Sequence, residues 1–429
     1  MVILDRRLDE RAQAGEPVNV ALVGSGFMGR AVARRLRSAT GIRLVAIANR
    51  TLSAAETALA AAGEAAPRRA ADADEVDAAA AASRTAVTTD AAAVCRARSV
   101  DVVIEATGAI EHGAQVALEA FRNGKHVVLM NMTLDATLGP LLHVYAQKAG
   151  VVFSQTDGDE PAVAMNLLRL VRSLGCRPVA AGNVKGFYDP YRNPDTQREF
   201  AAGVGQDPQM VASFADGTKL ALEATVLANA TGFRVGRRGM FGFRCDHVRD
   251  LANLLDPATL LEAPLVDYTL GAEPGSGVFV VAYEDDPDAA RYLRYFKLGD
   301  GPLYVFYTPF HLPHLEVGLT AARAELFGDA AAAPAAGPVC EAIAVAKRDL
   351  PAGEVLDGAG GFAAYALIEN ADASIPAGLL PIGLSEGRRL ARAVARDEAI
   401  AFADLEPREP TLADRLYEEQ IDLFADDAR

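Results

Sequence analysis

One short segment constrains this chain more than any other: Gly24-Ser25-Gly26-Phe27-Met28-Gly29. An apolar run, Val18–Val23, precedes it, and residues at helical spacing, Phe27–Arg37, follow it. A G-x-G-x-x-G between a strand and a helix is the context in which backbone N–H groups and a helix dipole receive a pyrophosphate. Gly24 permits the tight turn, Gly26 lets backbone approach the phosphates, and Gly29 lets the helix sit close on the sheet. Phe27 and Met28 lie within the same turn and join the expected cofactor-binding set. The alternative is an ordinary glycine-rich turn. The repeating strand–helix rhythm of the first half favours the dinucleotide reading.

That rhythm continues through Leu44–Ala48, Val100–Ile104, His126–Met130 and Val151–Ser154 as strands. The expected fold class is α/β: a Rossmann parallel sheet, then an α+β catalytic and dimerisation domain, then a small β-rich module. The Ala-rich stretch Gly63–Ser83 reads as a helical surface insertion. After Thr156 aromatics and prolines increase, with Asn183–Tyr188, Thr225–Ala228, Gly277–Tyr283 and Leu303–Tyr307 as strand candidates. Val317–Leu326 reads as a helix returning to the first domain, and Gly328–Pro338 as a linker. Expected domain bounds are 1–155, 156–328, a linker at 329–338, 339–408 for the β-rich module, and a polar tail at 409–429, helical over Pro410–Asp427.

Charge narrows the partners. The 429 residues carry 42 Lys and Arg against 57 Asp and Glu, a net charge of −15. Such a field disfavours nucleic acids and anionic membranes. No apolar run approaches the roughly 20 residues of a membrane span. The first 16 residues have no apolar h-region, so no secretory signal is expected. The four cysteines are far apart; the expectation is free thiols in a cytoplasmic protein.

Cofactor choice is read at the end of the second strand, Asn49-Arg50. NAD-selective folds place an acid there; Arg50 instead suits a 2′-phosphate, so NADP(H) is expected, with Asn49 beside it. Thr107, Gly108 and Asn131 follow other strands at their carboxyl ends, where such sheets bind ligands.

Chemistry is sought in Thr156-Asp157-Gly158-Asp159-Glu160. Asp157 and Asp159 share a direction if extended and would suit Mg²⁺ or Mn²⁺. A solvated helix-capping turn is the alternative. Lys185, in an apolar strand, is the first candidate to donate to a substrate oxygen; Lys219 is the second. Arg234, Arg237 and Arg238, among glycines, suit a phosphate or carboxylate on a small-molecule substrate, or else form a surface hairpin. His311 and His314 read as local packing.

Gly24–Gly29, Asp101–Gly108 (DVVIEATG), Gly124–Met130 (GKHVVLM), Thr156–Glu160 and Gly232–Gly239 together resemble homoserine-dehydrogenase-like oxidoreductases bearing a C-terminal SAF domain. Ala346–Leu356 and Leu380–Leu384 resemble the opening and middle of that SAF module. Within this group the chain is most similar to the deoxyxylulose-phosphate-reductoisomerase-like enzymes. The resemblance implies a homodimer, NADPH, and conversion of 1-deoxy-D-xylulose 5-phosphate to 2-C-methyl-D-erythritol 4-phosphate in isoprenoid precursor synthesis. It also implies a divalent metal in the position of Asp157 and Asp159. Ordinary reductoisomerases have Asn-Lys-Glu where this chain has Asn131-Met132-Thr133, and a flap tryptophan where this chain has no Trp at all. The alternatives are a homoserine-dehydrogenase-type or other hydroxy-compound dehydrogenase, and a non-catalytic NADP sensor or SAF carbohydrate-binding protein.

Overall fold

Valine- and isoleucine-rich runs that alternate with helices must lie in a sheet covered on both faces, because their side chains are apolar on both sides. A computed structural model describes residues 2–64 and 66–426. Among these residues, seven parallel strands form the first sheet: β1 (Val18–Val23), β2 (Ile42–Ala48), β3 (Arg68–Arg69), β4 (Ala86–Thr88), β5 (Val102–Glu105), β6 (His126–Leu129) and β7 (Phe153–Gln155). Their order is β3-β4-β2-β1-β5-β6-β7. The order reverses beside β1, so the Gly24–Gly29 loop leaves β1 at a topological switch point.

The chain forms two units, Met1–Asp159 with Leu312–Ala333 and Thr411–Leu416, and Glu160–His311 with Pro334–Pro410 and Tyr417–Arg429. In the first, the strand core of Val20, Leu22, Ile47 and Ile104 also takes in Val317, Ala321 and Ala322 of helix Pro313–Phe327. The returning helix therefore packs where it was expected. Leu4 and Leu8 of helix Val2–Ala14 join the same core. Sequence reading passed over that helix because its six charged residues equal its apolar ones in number and interrupt the apolar pattern.

Two expectations are corrected here, and a third, the helical tail, is met. Gly63–Ser83 is no surface insertion. It supplies β3 and the helix Ala73–Ala81, which buries Val76, Ala79 and Ala80. The strands on either side are so short that alanine masked them. The segment at 329–338 is not a free linker over its first residues: Ala331 and Ala332 are buried, both N–H groups donate to Ser154 Oγ, and Ala332 bridges Gln155. The polar tail is a helix, Leu412–Asp426, that buries Ala413, Leu416 and Tyr417; residues 427–429 lie outside the described residues.

In the second unit, β8 (Arg177–Lys185), β9 (Leu265–Leu270), β10 (Val278–Tyr283) and β11 (Leu303–Thr308) form a mixed sheet in the order β11-β10-β8-β9. The expected strand Thr225–Ala228 is instead part of helix Thr218–Thr231. Ala, Leu, Lys and Glu dominate that segment, and Thr225 satisfies its hydroxyl on the Ala221 carbonyl at 2.8 Å, a helical bond. β12 (Cys340–Ala346) and β13 (Ala364–Asn370) pair antiparallel in a small module with its own core of Ile343, Val345, Tyr365 and Leu379.

Leu8 ties the N-terminal helix to the first core. Leu8→Ala is expected to lower unfolding stability by about 2–3 kcal/mol, read by urea titration, without changing the far-UV spectrum of the folded state.

Candidate active site

Tight turning at Gly24–Gly29 is enforced by close backbone approach. Gly24 has φ +102°, and a Cβ there would lie 2.7 Å from the Ala106 carbonyl oxygen. A Cβ on Gly29 would lie 2.2 Å from the Gly24 oxygen. A Cβ on Gly26 would meet open space, so backbone at that residue can be approached by a ligand. Helix Phe27–Arg37 starts there with no side-chain cap on its N–H groups. These donors and the dipole behind them fit a pyrophosphate. Phe27 is exposed and Met28 half-buried at the same turn.

Asn49 ties the loop to the second strand: its side-chain oxygen accepts from Ser25 N–H at 3.0 Å and its amide donates to the Thr51 carbonyl at 2.9 Å. Arg50 beside it is exposed. Gly108 is exposed at φ +74°. Thr107 is partly committed, since its N–H donates to Glu105 at 2.9 Å and its hydroxyl donates to the same carboxylate. Burial raises the Glu105 carboxyl pKa, opposed by its hydrogen bonds from Thr107 and Asn131. Asn131 does not reach out as expected. It is buried, caps helix Met132–Ala149 by accepting from Leu134 N–H at 3.2 Å, and donates to the Ala109 carbonyl at 3.2 Å.

The acidic segment is also corrected. Both Asp157 oxygens accept from Arg323, at 2.8 and 3.1 Å, and Thr320 contributes its hydroxyl. A guanidinium across both oxygens neutralises the charge that a divalent cation would use, so these residues do not fit the expected Mg²⁺ or Mn²⁺ site. Asp159 is buried in the turn, its N–H bonded to the Thr156 carbonyl. Among the described residues no three His, Cys, Asp or Glu side chains gather as a metal site.

Within the second unit the polar residues do converge. Asn183 and Lys185 stand two apart on β8 and so share one face. Glu160 opens helix Glu160–Ser173, where the helix dipole favours an anion. Glu223 lies one helical turn after Lys219 on Thr218–Thr231. Lys185 Nζ lies 2.7 Å from Glu160 and 3.2 Å from Glu223. Asn183 donates to the same two carboxylates at 2.7 and 3.1 Å. Lys219 lies 3.4 Å from Glu223, and His311 lies 3.6 Å from Glu160. Both carboxylates are 2% exposed, whereas Lys185 keeps 22% of its side chain in solvent. Lys185, Lys219 at 21% and His311 at 34% side-chain exposure are thus the members of the cluster that a ligand can approach.

Burial opposes the charge on Lys185, yet Glu160 and Glu223 together hold its pKa above the ordinary lysine range. Burial, reinforced by Glu160, pushes the Glu223 carboxyl up to about 7, against both lysines. Burying several charges costs several kcal/mol each before pairing. A cluster of this kind with displaced titrations marks a functional site more readily than a stability device. Glu223 and Asn183 were missed as site residues in the sequence, and His311 was read as local packing. The Lys219–Glu223 spacing was the available signal, hidden by reading a strand over Thr225–Ala228.

The arginines do not wait for an anion. Arg234 pairs with Asp372 at 2.5 Å and Arg238 with Glu369 at 2.8 Å. Arg237 donates to the carbonyls of Met240 and Phe241 and stacks on the Phe241 ring. Arg234 and Arg238 thus join the β-rich module to the preceding segment and Arg237 braces its own turn, instead of offering a substrate subsite.

Glu223 yields a signed pH prediction. Its folded value near 7 exceeds the ordinary 4.5, so between these the folded state holds more protons than the unfolded. This contribution is fully present below 4.5 and is lost as pH rises through 7. Urea titrations from pH 5 to 8 are expected to show wild type losing stability relative to Glu223→Gln as pH rises.

Three family models match the chain. Residues 24–154 match "Homoserine dehydrogenase, NAD binding domain", 158–317 match "Oxidoreductase DRL, catalytic domain", and 341–406 match "SAF domain". No curated protein matches at a significant level. Among solved structures the chain is similar to a homoserine dehydrogenase from Thiobacillus denitrificans, at 16% identity over 90% of this chain and 98% of that one, TM-score 0.45. It is also similar to GenD2 from gentamicin A biosynthesis in complex with NAD, at 15% identity over 74% and 89%, TM-score 0.39. A third is an NAD-binding oxidoreductase from Klebsiella pneumoniae, at 22% identity over 41% and 44%, TM-score 0.29. The chain thus carries a homoserine-dehydrogenase-type NAD-binding domain, an oxidoreductase catalytic domain and a SAF domain, which makes it a nicotinamide-dependent oxidoreductase.

Proposed function

We propose that the chain is an NADPH-dependent reductoisomerase that converts 1-deoxy-D-xylulose 5-phosphate to 2-C-methyl-D-erythritol 4-phosphate in the cytoplasm, as a homodimer. The observation that carries the reading is the Lys185 ammonium between Glu160 and Glu223, partly open to solvent. An ammonium held charged in this way suits a carbonyl oxygen that gains negative charge. The match to the oxidoreductase DRL catalytic domain over 158–317 supports the same class. The proposed division of labour gives cofactor binding to residues 1–155 and proton transfer to 156–328.

In this reading Gly24, Gly26 and Gly29 form the phosphate cradle, and Arg50 holds a 2′-phosphate. The carbon skeleton of the substrate first rearranges, one C–C bond breaking as another forms, to give a branched aldehyde; when bound, the nicotinamide would supply hydride to that aldehyde carbon. Lys185 holds a hydrogen bond on the carbonyl oxygen and hands over a proton as the alkoxide forms. Glu160 keeps that ammonium charged and aimed, at 2.7 Å. Glu223, titrating near neutrality, can return a proton to the cluster. Lys219 lowers the cost of the second carboxylate.

A second reading is a homoserine-dehydrogenase-type enzyme on a hydroxy or amino acid, favoured by the match over 24–154. A non-catalytic sensor is disfavoured, because binding alone does not require a buried array of two lysines and two glutamates.

The test is NADPH oxidation by the full chain with 1-deoxy-D-xylulose 5-phosphate and with L-aspartate semialdehyde. Turnover of the first alone is expected; turnover of the second alone would favour the second reading. Lys185→Met is expected to lower kcat by about 10²–10⁴-fold with NADPH affinity unchanged by calorimetry. Arg50→Asp is expected to weaken NADPH binding by about tenfold and leave NADH binding unchanged or tighter, read by the same titration.

A further inference from the structure

The SAF module supplies polar contacts to both ends of one helix, Thr218–Thr231, which carries Lys219 and Glu223. At the start of the helix, Gly217 offers no side-chain cap. Asp216 takes that role by accepting from Thr218 N–H at 2.8 Å. The Asp216 carboxylate is fully buried, and its counter-charge comes from the SAF module: Lys347 Nζ lies 2.7 Å away. Lys347 is itself 4% exposed and spends its other protons on the carbonyls of Arg192 and Gly361, both at 2.6 Å. Beside it, Ala366 N–H of β13 donates to Thr218 Oγ1 at 3.0 Å.

At the far end, the Asn229 side-chain oxygen accepts from Val339 N–H at 2.8 Å and Cys340 N–H at 3.0 Å, where β12 begins. The Asn229 carbonyl accepts from Ala336 N–H at 2.9 Å. Between these ends the helix packs on β12 and β13. A slip of one residue would move Glu223 by about 1.5 Å and turn it by about 100°, which exceeds what a 3.2 Å contact to Lys185 tolerates.

We propose that the SAF module acts as a clamp that fixes the register of helix Thr218–Thr231, with Lys347 and Asn229 as positioning residues for the Lys219–Glu223 pair against Lys185. The proposal rests on reading the Lys185 cluster as the proton-transfer group. A buried ion pair such as Asp216–Lys347 is weak evidence for stability and is better placed as a device for specifying one arrangement.

The test reads the Glu223 carboxyl, which faces Glu160 from one helix, Lys185 and Asn183 from β8, and Lys219 from its own helix. Full-length chain enriched in carboxyl-13C glutamate is titrated by NMR, with Glu223 assigned by its loss in Glu223→Gln. Hydrogen exchange by mass spectrometry follows peptides within 218–231. The paired variant Lys347→Met/Asp216→Asn removes the ion pair without stranding a charge, and Asn229→Ala releases the other end. Tyr417→Phe, which breaks only a hydrogen bond to Glu341 of β12, is the control for plain destabilisation of the module.

The clamp variants are expected to lower the Glu223 midpoint by at least about half a pH unit, as water enters and Glu160 recedes. Exchange within 218–231 is expected to rise about tenfold, and Tyr417→Phe is expected to change neither. Folded clamp variants with wild-type midpoint and protection would overturn the proposal, as would Tyr417→Phe behaving like them. If neither clamp variant folds, Lys347→Arg decides by the same two readouts. Neither readout uses a substrate. A chain that binds no NADPH, or keeps turnover in Lys185→Met, sinks the catalytic reading and leaves the clamp result standing.

Discussion

A lysine ammonium held between two buried glutamates is the interaction on which the rest depends. Three separate elements converge to make it: β8 presents Asn183 and Lys185 on one face, one helix start presents Glu160, and the helix Thr218–Thr231 presents Glu223. Each charge alone would be expelled from such surroundings or neutralised. Together they stay, because every carboxylate has a cation and an amide within reach. The arrangement leaves Lys185 charged and partly open, which is the state a carbonyl donor needs.

The first unit solves a different problem, the placement of backbone N–H groups around phosphates. Its solution depends on absent side chains. Gly24 and Gly29 are required because backbone oxygens stand where their Cβ atoms would be. Asn49 then fixes the loop to the second strand through Ser25. Polar residues nearby, Glu105, Thr107 and Asn131, spend their hydrogen bonds on one another and on loop backbone, so they shape the loops at the carboxyl ends of β5 and β6. The SAF module belongs to the second unit, and its Lys347 and Glu369 contacts are structural ties to the segments that precede it.

The sheet, the glycine loop and Lys185 were legible because their signals are local. A strand followed by G-x-G-x-x-G depends on residues a few positions apart, and a lysine in an apolar strand stands out by composition. What failed was whatever depends on distant partners. Asp157 and Asp159 read as a cation site because Arg323, more than 160 residues later in the chain, is invisible to local spacing. Arg234 and Arg238 read as anion binders because Asp372 and Glu369 lie in another module. Glu223 was hidden by a wrong secondary-structure assignment: β-branched Thr225 and Val226 suggested a strand, while burial on both sides permits a helix with no polar stripe.

The central claim is a charge state, so it is best tested on the charge itself. Full-length chain carrying lysine labelled with 13C at Cε reports protonation through that carbon, with Lys185 assigned by its loss in Lys185→Met. The account predicts that Lys185 remains an ammonium through pH 10.5, the ordinary lysine midpoint, while exposed lysines titrate. A Lys185 midpoint below that of the exposed lysines would mean that the two glutamates do not hold the charge, and the proposed chemistry would lose its donor.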